Sequence, residues 1–285
     1  MAKDTLFTKK VTINAGGKLI NLGVPKVMGI INITPDSFYA GSRKPLLNDA
    51  LQQANKMLAD GADFLDIGAY SSRPGAEDIS VQEEMDRLFP VIELIAANQP
   101  NALISVDTFR SSVAEGAIRA GAHIINDISG GQLDAEMFAT VARLQVPYIL
   151  MHMKGTPQNM NQQAQYNNVV TEVIDYFSSR YHQLKQLGVH DVIIDPGFGF
   201  AKTQEHSYTL MNHLQDFNML ELPVLVGVSR KRMVYSVTGG TAEEALNGTT
   251  ALNTIALTKG ANILRVHDVK EAAEAVRIYQ KCMES

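Results

Sequence analysis

LADGADFLDIG, residues 58–68, reads backwards as the end of a helix and forwards as a buried strand. Helical spacing stops at Gly61, a residue type that tolerates the left-handed turn closing a helix, and the apolar run DFLDI follows almost at once. The same grammar recurs in IRAGAHIINDI (118–128), KQLGVHDVIID (185–195) and LTKGANILRV (257–266). Each is a helix-to-strand loop. Working outward, the short apolar runs are KVMGII (26–31), DFLDI (63–67), ALISV (102–106), HIIN (123–126), PYILM (147–151), DVIID (191–195), PVLVGV (223–228) and NILRV (262–266). Continuous apolar strands separated by helical patterns belong to a parallel sheet covered on both faces. Eight of them predict an α/β fold, the (β/α)8 or TIM barrel, with a doubly wound open sheet as the alternative. VTINAGGKLINLG (11–23), with its Gly-Gly turn, reads as a β-hairpin ahead of the barrel. Residues 1–25 are therefore expected to form an N-terminal hairpin segment, and 26–285 the barrel of a single domain.

The composition suits such a fold: of 285 residues, 45% are hydrophobic and 19% charged, which excludes disordered, collagenous and coiled-coil chains. A net charge of -5 argues against a general nucleic-acid binder, so any anionic ligand must meet a local cluster of cations. No apolar run approaches the ~18 residues of a membrane span. One cysteine, Cys282, excludes an internal disulfide and a cysteine zinc site, and MAKDTLFTKK lacks the apolar core of a signal peptide. The expected compartment is the cytoplasm.

In a (β/α)8 barrel the active site lies at the C-terminal ends of the strands. Those ends carry Asn32, Asp66, Asp107, Asn126 with Asp127, Met151 with His152, Asp195, Ser229-Arg230-Lys231, and Arg265 with His267. Burying so many polar groups without partners would cost several kcal/mol each, so a structural role for all of them is hard to sustain. Asp107, Asn126 and Asp195 are short acceptors and amides, suited to reading a flat heterocycle with donor and acceptor edges. Arg265 and His267 are two apart and project to one face; with Arg73 and Asn32 in loops at the same rim, they fit phosphate or pyrophosphate. The bland alternative for Arg265 is a salt bridge to Asp268 or Glu271. GFGFAK (197–202) lacks the third glycine of a dinucleotide fingerprint. His123 and His152 lie in apolar strands and read as core histidines, and Val169, Val173, Phe177, Tyr181 and Leu184 read as the core-facing stripe of a helix.

VMGIINITPDSF, SSRPGA, VDTF, INDISGG, MHMKGTP, DPGFGF, GVSRKRM and RVHD, in that order over roughly residues 26 to 270, resemble the strings of the dihydropteroate synthase family. The resemblance implies condensation of 6-hydroxymethyl-7,8-dihydropterin diphosphate with p-aminobenzoate, giving 7,8-dihydropteroate and diphosphate for folate synthesis. It places Asp107, Asn126, Asp195 and Lys231 on the pterin ring, with Met151 against its face. It places Asn32, Arg73, Arg265 and His267 on the diphosphate, with Mg²⁺ bridging to Asn32. Phe38, Ser72, Pro74, Phe200 and Arg232 would border the aryl amine. Asp107, Asp195, Lys231 and Arg265 carry the implied catalysis, and the family implies a homodimer through the late helices.

The chain departs from the family's pattern at three points. Tyr70 stands where an acid is common, Ala40 where the first loop often has an acid, and Arg232 where some members have serine. Rival readings are a corrinoid-linked methyltetrahydrofolate methyltransferase, a Schiff-base aldolase using Lys231, and a non-catalytic pterin-binding module.

Overall fold

The computed structural model describes residues 11–33, 43–71 and 78–284. Strands β1 (Thr12–Ala15) and β2 (Lys18–Asn21) form the hairpin, with Ala15 opposite Lys18. Gly16 and Gly17 between them take φ of 59° and 77°, as a tight two-residue turn of matching twist requires.

Eight parallel strands follow: β3 (Lys26–Asn32), β4 (Phe64–Gly68), β5 (Leu103–Asp107), β6 (Ile124–Asp127), β7 (Tyr148–Met151), β8 (Val192–Asp195), β9 (Leu225–Val226) and β10 (Ile263–Val266). They pair in the order β8-β7-β6-β5-β4-β3-β10-β9, and a parallel bridge from Ile194 to Val224 brings the two ends together into a (β/α)8 barrel. Between strands run α1 (Arg43–Asp60), α2 (Val81–Asn98), α3 (Ser111–Arg119), α4 (Met137–Leu144), α5 (Val169–Gln186), α6 (Gln204–Asn212), α7 (Arg232–Thr238) and α8 (Leu246–Thr258), and α9 (Val269–Glu284) closes the chain. The junction glycines Gly61, Gly121, Gly188 and Gly260 have φ of 107°, 115°, 80° and 96°, the left-handed turns expected of them.

One strand is shorter than its sequence suggests. PVLVGV contributes only Leu225 and Val226 to the ladder. Pro223 has no N–H and offers only its carbonyl, to Ile194 at 2.9 Å, while the Val224 N–H donates to the Asn262 side chain at 2.9 Å. That side chain also donates to the Leu22 carbonyl at 2.8 Å, which ties the hairpin to the last strand.

Alternation along the strands sorts the residues into two populations. Outward-facing Leu65, Ile67, Ile104, Val106, Ile125, Leu150, Val192 and Ile194 pack under the helices, where the α5 stripe Val169, Val173, Phe177 and Leu184 is buried. Each such side chain contributes ~1.5–3 kcal/mol on burial. Inside the ring, Met28, Phe64, Leu103, Ile124, Ile149, Ile193, Leu225 and Ile263, one from each strand, form an apolar floor that Ile13, Ala15 and Leu22 of the hairpin segment plug from below. Two residues further along the strands come Ile30, Asp66, Ser105, Asn126, Met151, Asp195, Gly227 and Arg265. The barrel is oily below and polar above.

Candidate active site

Three carboxylates, an amide and two cations meet in this polar layer and just above it. Asp66 is completely buried, and one of its oxygens, Oδ2, accepts from both Arg265 Nε at 2.6 Å and Asn126 Nδ2 at 3.0 Å. Arg265 uses Nη2 to reach Asp107 Oδ2, also at 2.6 Å. Burial by itself would weaken the guanidinium's hold on its proton, but Asp66 and Asp107 outweigh it and raise its pKa. Burial likewise raises the Asp107 carboxyl, to about 7; Arg265 opposes the shift, while Asp66 and Glu84 add to it. Asp66 Oδ1 and Ser105 Oγ, facing each other in register on β4 and β5, are buried without a hydrogen-bond partner among the described residues. Buried acceptors left open in this way mark a layer able to receive donors from the mouth of the barrel.

The second half of the site is built on the loop after β8. Asp195 is buried and accepts from the Gly197 N–H at 2.8 Å; burial raises its pKa and Lys231 opposes that shift. Lys231 donates to the Phe198 carbonyl at 2.6 Å, and its Nζ lies 4.7 Å from the centre of the Phe200 ring. Burial lowers the Lys231 pKa to about 8, with Asp195 working in the other direction. Gly197 cannot be replaced freely: φ is 69°, and an added Cβ would lie 2.1 Å from the His152 carbonyl oxygen. Gly197→Ala is expected to cost about 1–3 kcal/mol of stability through backbone strain and to disturb the Asp195 contact. Thermal melting checks this, and a variant that melted with the wild type would refute it.

Met151 is buried in a cluster with Ile128, Met153, Met160 and Ala201, against which Phe109, Leu133 and Phe200 pack. His267 stands at the rim beyond β10, its N–H donating to Ser229 Oγ at 3.2 Å and its Nδ1 3.1 Å from the same oxygen. Asn32 ends β3 and is exposed, and Arg232 opens α7, also exposed. Phe38, Ala40, Ser72, Arg73 and Pro74 lie outside the described residues. Tyr70, in place of an acid, accepts from Gln158 Nε2 at 2.9 Å and stacks edge-on against Phe109.

The bland alternative for Arg265 fails, one strand-end acid leaves the site, and the two histidines pack into the fold as expected. Arg265 does not pair with Asp268 or Glu271: Asp268 takes the guanidinium of Arg230, and Arg265 turns inward. The cationic and acidic groups therefore interlock and are not two separate sets. Asp127 leaves the site altogether, because it faces outward and accepts from Tyr148, Ser129 and Gly131. His123 and His152 are held within the fold, accepting from Ile104 N–H and lying 2.9 Å from Lys202 Nζ, respectively. Asp66 stands among the strand-end acids of the sequence, but its role as the anchor of Arg265 escaped sequence reasoning, and Lys202 escaped it altogether. For Asp66 the signal was present: it lies two residues beyond the floor residue Phe64.

Among the described residues no group of three or more His, Cys, Asp or Glu side chains could hold a metal. What the rim offers is the neutral amide oxygen of Asn32. That donor fits Mg²⁺, which commonly keeps waters and takes phosphate oxygens beside one or two protein ligands.

This is a pterin-binding barrel: the family model described as "pterin binding enzyme" matches residues 28–267. The chain is 42% identical to dihydropteroate synthase of Escherichia coli (strain K12) over 272 residues, 93% of this chain and 94% of that protein. Xanthomonas albilineans dihydropteroate synthase with 4-aminobenzoic acid matches its structure with a TM-score of 0.90 at 37% identity, covering 96% of this chain and 99% of the other. The same enzyme in complex with 7,8-dihydropteroate gives a TM-score of 0.87 at 35% identity, covering 96% and 99%. The chain belongs to the dihydropteroate synthase family.

Proposed function

We infer that the protein joins 6-hydroxymethyl-7,8-dihydropterin diphosphate to p-aminobenzoate, releasing 7,8-dihydropteroate and diphosphate in folate synthesis. The observation that carries this reading is the convergence of Asp107, Asn126 and Asp195 in and just above one buried polar layer, with Arg265 on the same layer and His267 at its rim. A dihydropterin presents N–H groups that carboxylates recognise, and Arg265 with His267 at the rim suits the diphosphate.

In the reaction the aryl-amine nitrogen forms a bond to the exocyclic methylene of the pterin, the methylene–oxygen bond breaks, and a proton leaves the nitrogen. The electron-rich dihydropterin favours departure of the leaving group, because it can delocalise positive charge developing at the methylene. Asp107 and Asp195 stabilise that charge from a site whose dipoles are already fixed, so little reorganisation is needed. Arg265 and His267 meet the opposite charge on the departing diphosphate. Mg²⁺, with Asn32 as its protein ligand, would neutralise part of the diphosphate charge when bound. Lys231, which donates to the Phe198 carbonyl and feels the charge of Asp195, would hydrogen-bond the ring, and Phe200 with Arg232 would border the aryl amine.

A homodimer through the late helices is part of the proposal, supported by the exposed apolar side chains Val237, Leu246, Ile255 and Ile278 on α7, α8 and α9. Sedimentation of the purified protein as a monomer would remove it. No helix of the described residues is long and apolar enough to cross a membrane, and the exposed, lone Cys282 supports a cytoplasmic site of action, which cell fractionation checks. The decisive assay is diphosphate release from the pterin substrate with and without p-aminobenzoate. Release that depends on p-aminobenzoate, with dihydropteroate formed in equal amount, is the expected result. Pterin binding without release would favour the methyltransferase or the non-catalytic module.

A further inference from the structure

GFGFAK (197–202) ends in a lysine that the mechanism above does not use. Lys202 is 8% exposed, and its Nζ lies 2.9 Å from His152 Nδ1, 3.0 Å from the Phe200 carbonyl and 3.3 Å from the His152 carbonyl. Three acceptors match the three N–H bonds of an ammonium, with His152 accepting at Nδ1. The loop from Pro196 to Ala201 is thus slung between two lysines. Lys231 grips the Phe198 carbonyl on the side of the site, and Lys202 grips the Phe200 carbonyl from behind. Gly197 is the spacer: it donates to Asp195 and lies so close to the second lysine that an added Cβ would be 3.4 Å from Lys202 Nζ.

Burying an ammonium costs several kcal/mol, and bracing two carbonyls does not require one. A nearby anion gives the charge a purpose. We propose that Lys202 is a positioning residue of the pterin site, which holds the Asp195 loop against β7 and supplies a positive charge behind the Asp195 carboxylate without touching substrate. The proposal deepens the synthase reading and rests on it for the identity of the ligand. The coupling is mutual: Lys202 lowers the pKa of Asp195 against the effect of burial, and Asp195 supports the charge of Lys202, which burial pulls well below that of a lysine in water. Around Asp195 the other charged groups are Lys231 beyond β9 and Arg265 on β10. Lys231 and Lys154 also face Lys202, and Asp107 on β5 acts on Lys231 and Arg265.

Binding of 6-hydroxymethyl-7,8-dihydropterin, measured by calorimetry across pH in the wild type, Lys202→Met and Lys202→Gln, tests the idea. Asp195 binds the ring as a carboxylate, so affinity is lost as pH falls through its pKa. Removing the cation raises that pKa. The acid limb should move upward by about one pH unit in both variants, so the loss is about tenfold on the acid side of the wild-type limb and vanishes above the limb of the variants. A purely structural lysine would weaken binding equally at all pH values, and that result, or no change at all, overturns the proposal. Failure of both variants to fold would make Lys202 a core strut and overturn it too. A wild-type protein that bound the pterin but released no diphosphate would sink the synthase reading and leave this inference standing.

Discussion

Asp107→Asn is expected to bind pterin about 10- to 100-fold more weakly than the wild type, which is the ~1.5–3 kcal/mol of a hydrogen bond to a charged group. At pH 8 it should melt no lower than the wild type. The two halves of this result have one cause. Burial raises the Asp107 carboxyl to about 7 despite the Arg265 guanidinium 2.6 Å away. An acid whose pKa is higher in the fold than in the unfolded chain binds its proton more tightly when folded, so stability falls as pH rises from the unfolded value toward 7. Above that window the wild type carries the full cost of a charged Asp107, and asparagine does not. On the proposed function the carboxylate serves the ligand at the expense of the fold. Unchanged affinity by calorimetry would take Asp107 out of the pterin site, and a melting point several degrees lower at pH 8 would mean that the pair with Arg265 is structural.

Asp66→Ala carries the largest expected loss of stability. A single buried oxygen holds both Arg265 Nε and Asn126 Nδ2. Truncation leaves the guanidinium with Asp107 as its remaining acid and strands the amide, and breaking a buried pair from one side typically costs ~3–5 kcal/mol. For a chain of this size that is a fall of roughly 10 °C in melting temperature. Asp66→Asn, which keeps the shape and one acceptor, should fall between the two. If Asp66→Ala melted within about 2 °C of the wild type, Arg265 would have another anchor.

Much of this was legible because two periodicities do most of the work. Positive-φ glycines at 61, 121, 188 and 260 announce where helices yield to strands, and the apolar run after each is long enough to be unmistakable. Inside the ring, alternation by two places Asn126 and Asp195 above floor residues Ile124 and Ile193; it also shows that Asp127, next to Asn126, must face out. Partnership was less readable. Asp268 is three residues from Arg265 and Asp66 is 199 away, so only closure of the ring reveals the true pair. Lys202 lies beyond the strand end, in a loop whose path depends on left-handed residues at 197, 199 and 201. No strand or helix periodicity extends into it.

The plug beneath the floor ties the chain's beginning to its end. Leu22 and Asn262 are bonded across 240 residues, and the floor layer draws on Ile13 as well as Ile263. Contacts of such long sequence separation are the slow ones to form, since a large loop must close before any of them is made. The hairpin is made before the strands it seats against, and its seat is complete only when the tenth strand joins the ring. Until then the apolar floor lacks one of its eight members, so the seal between plug and barrel closes last.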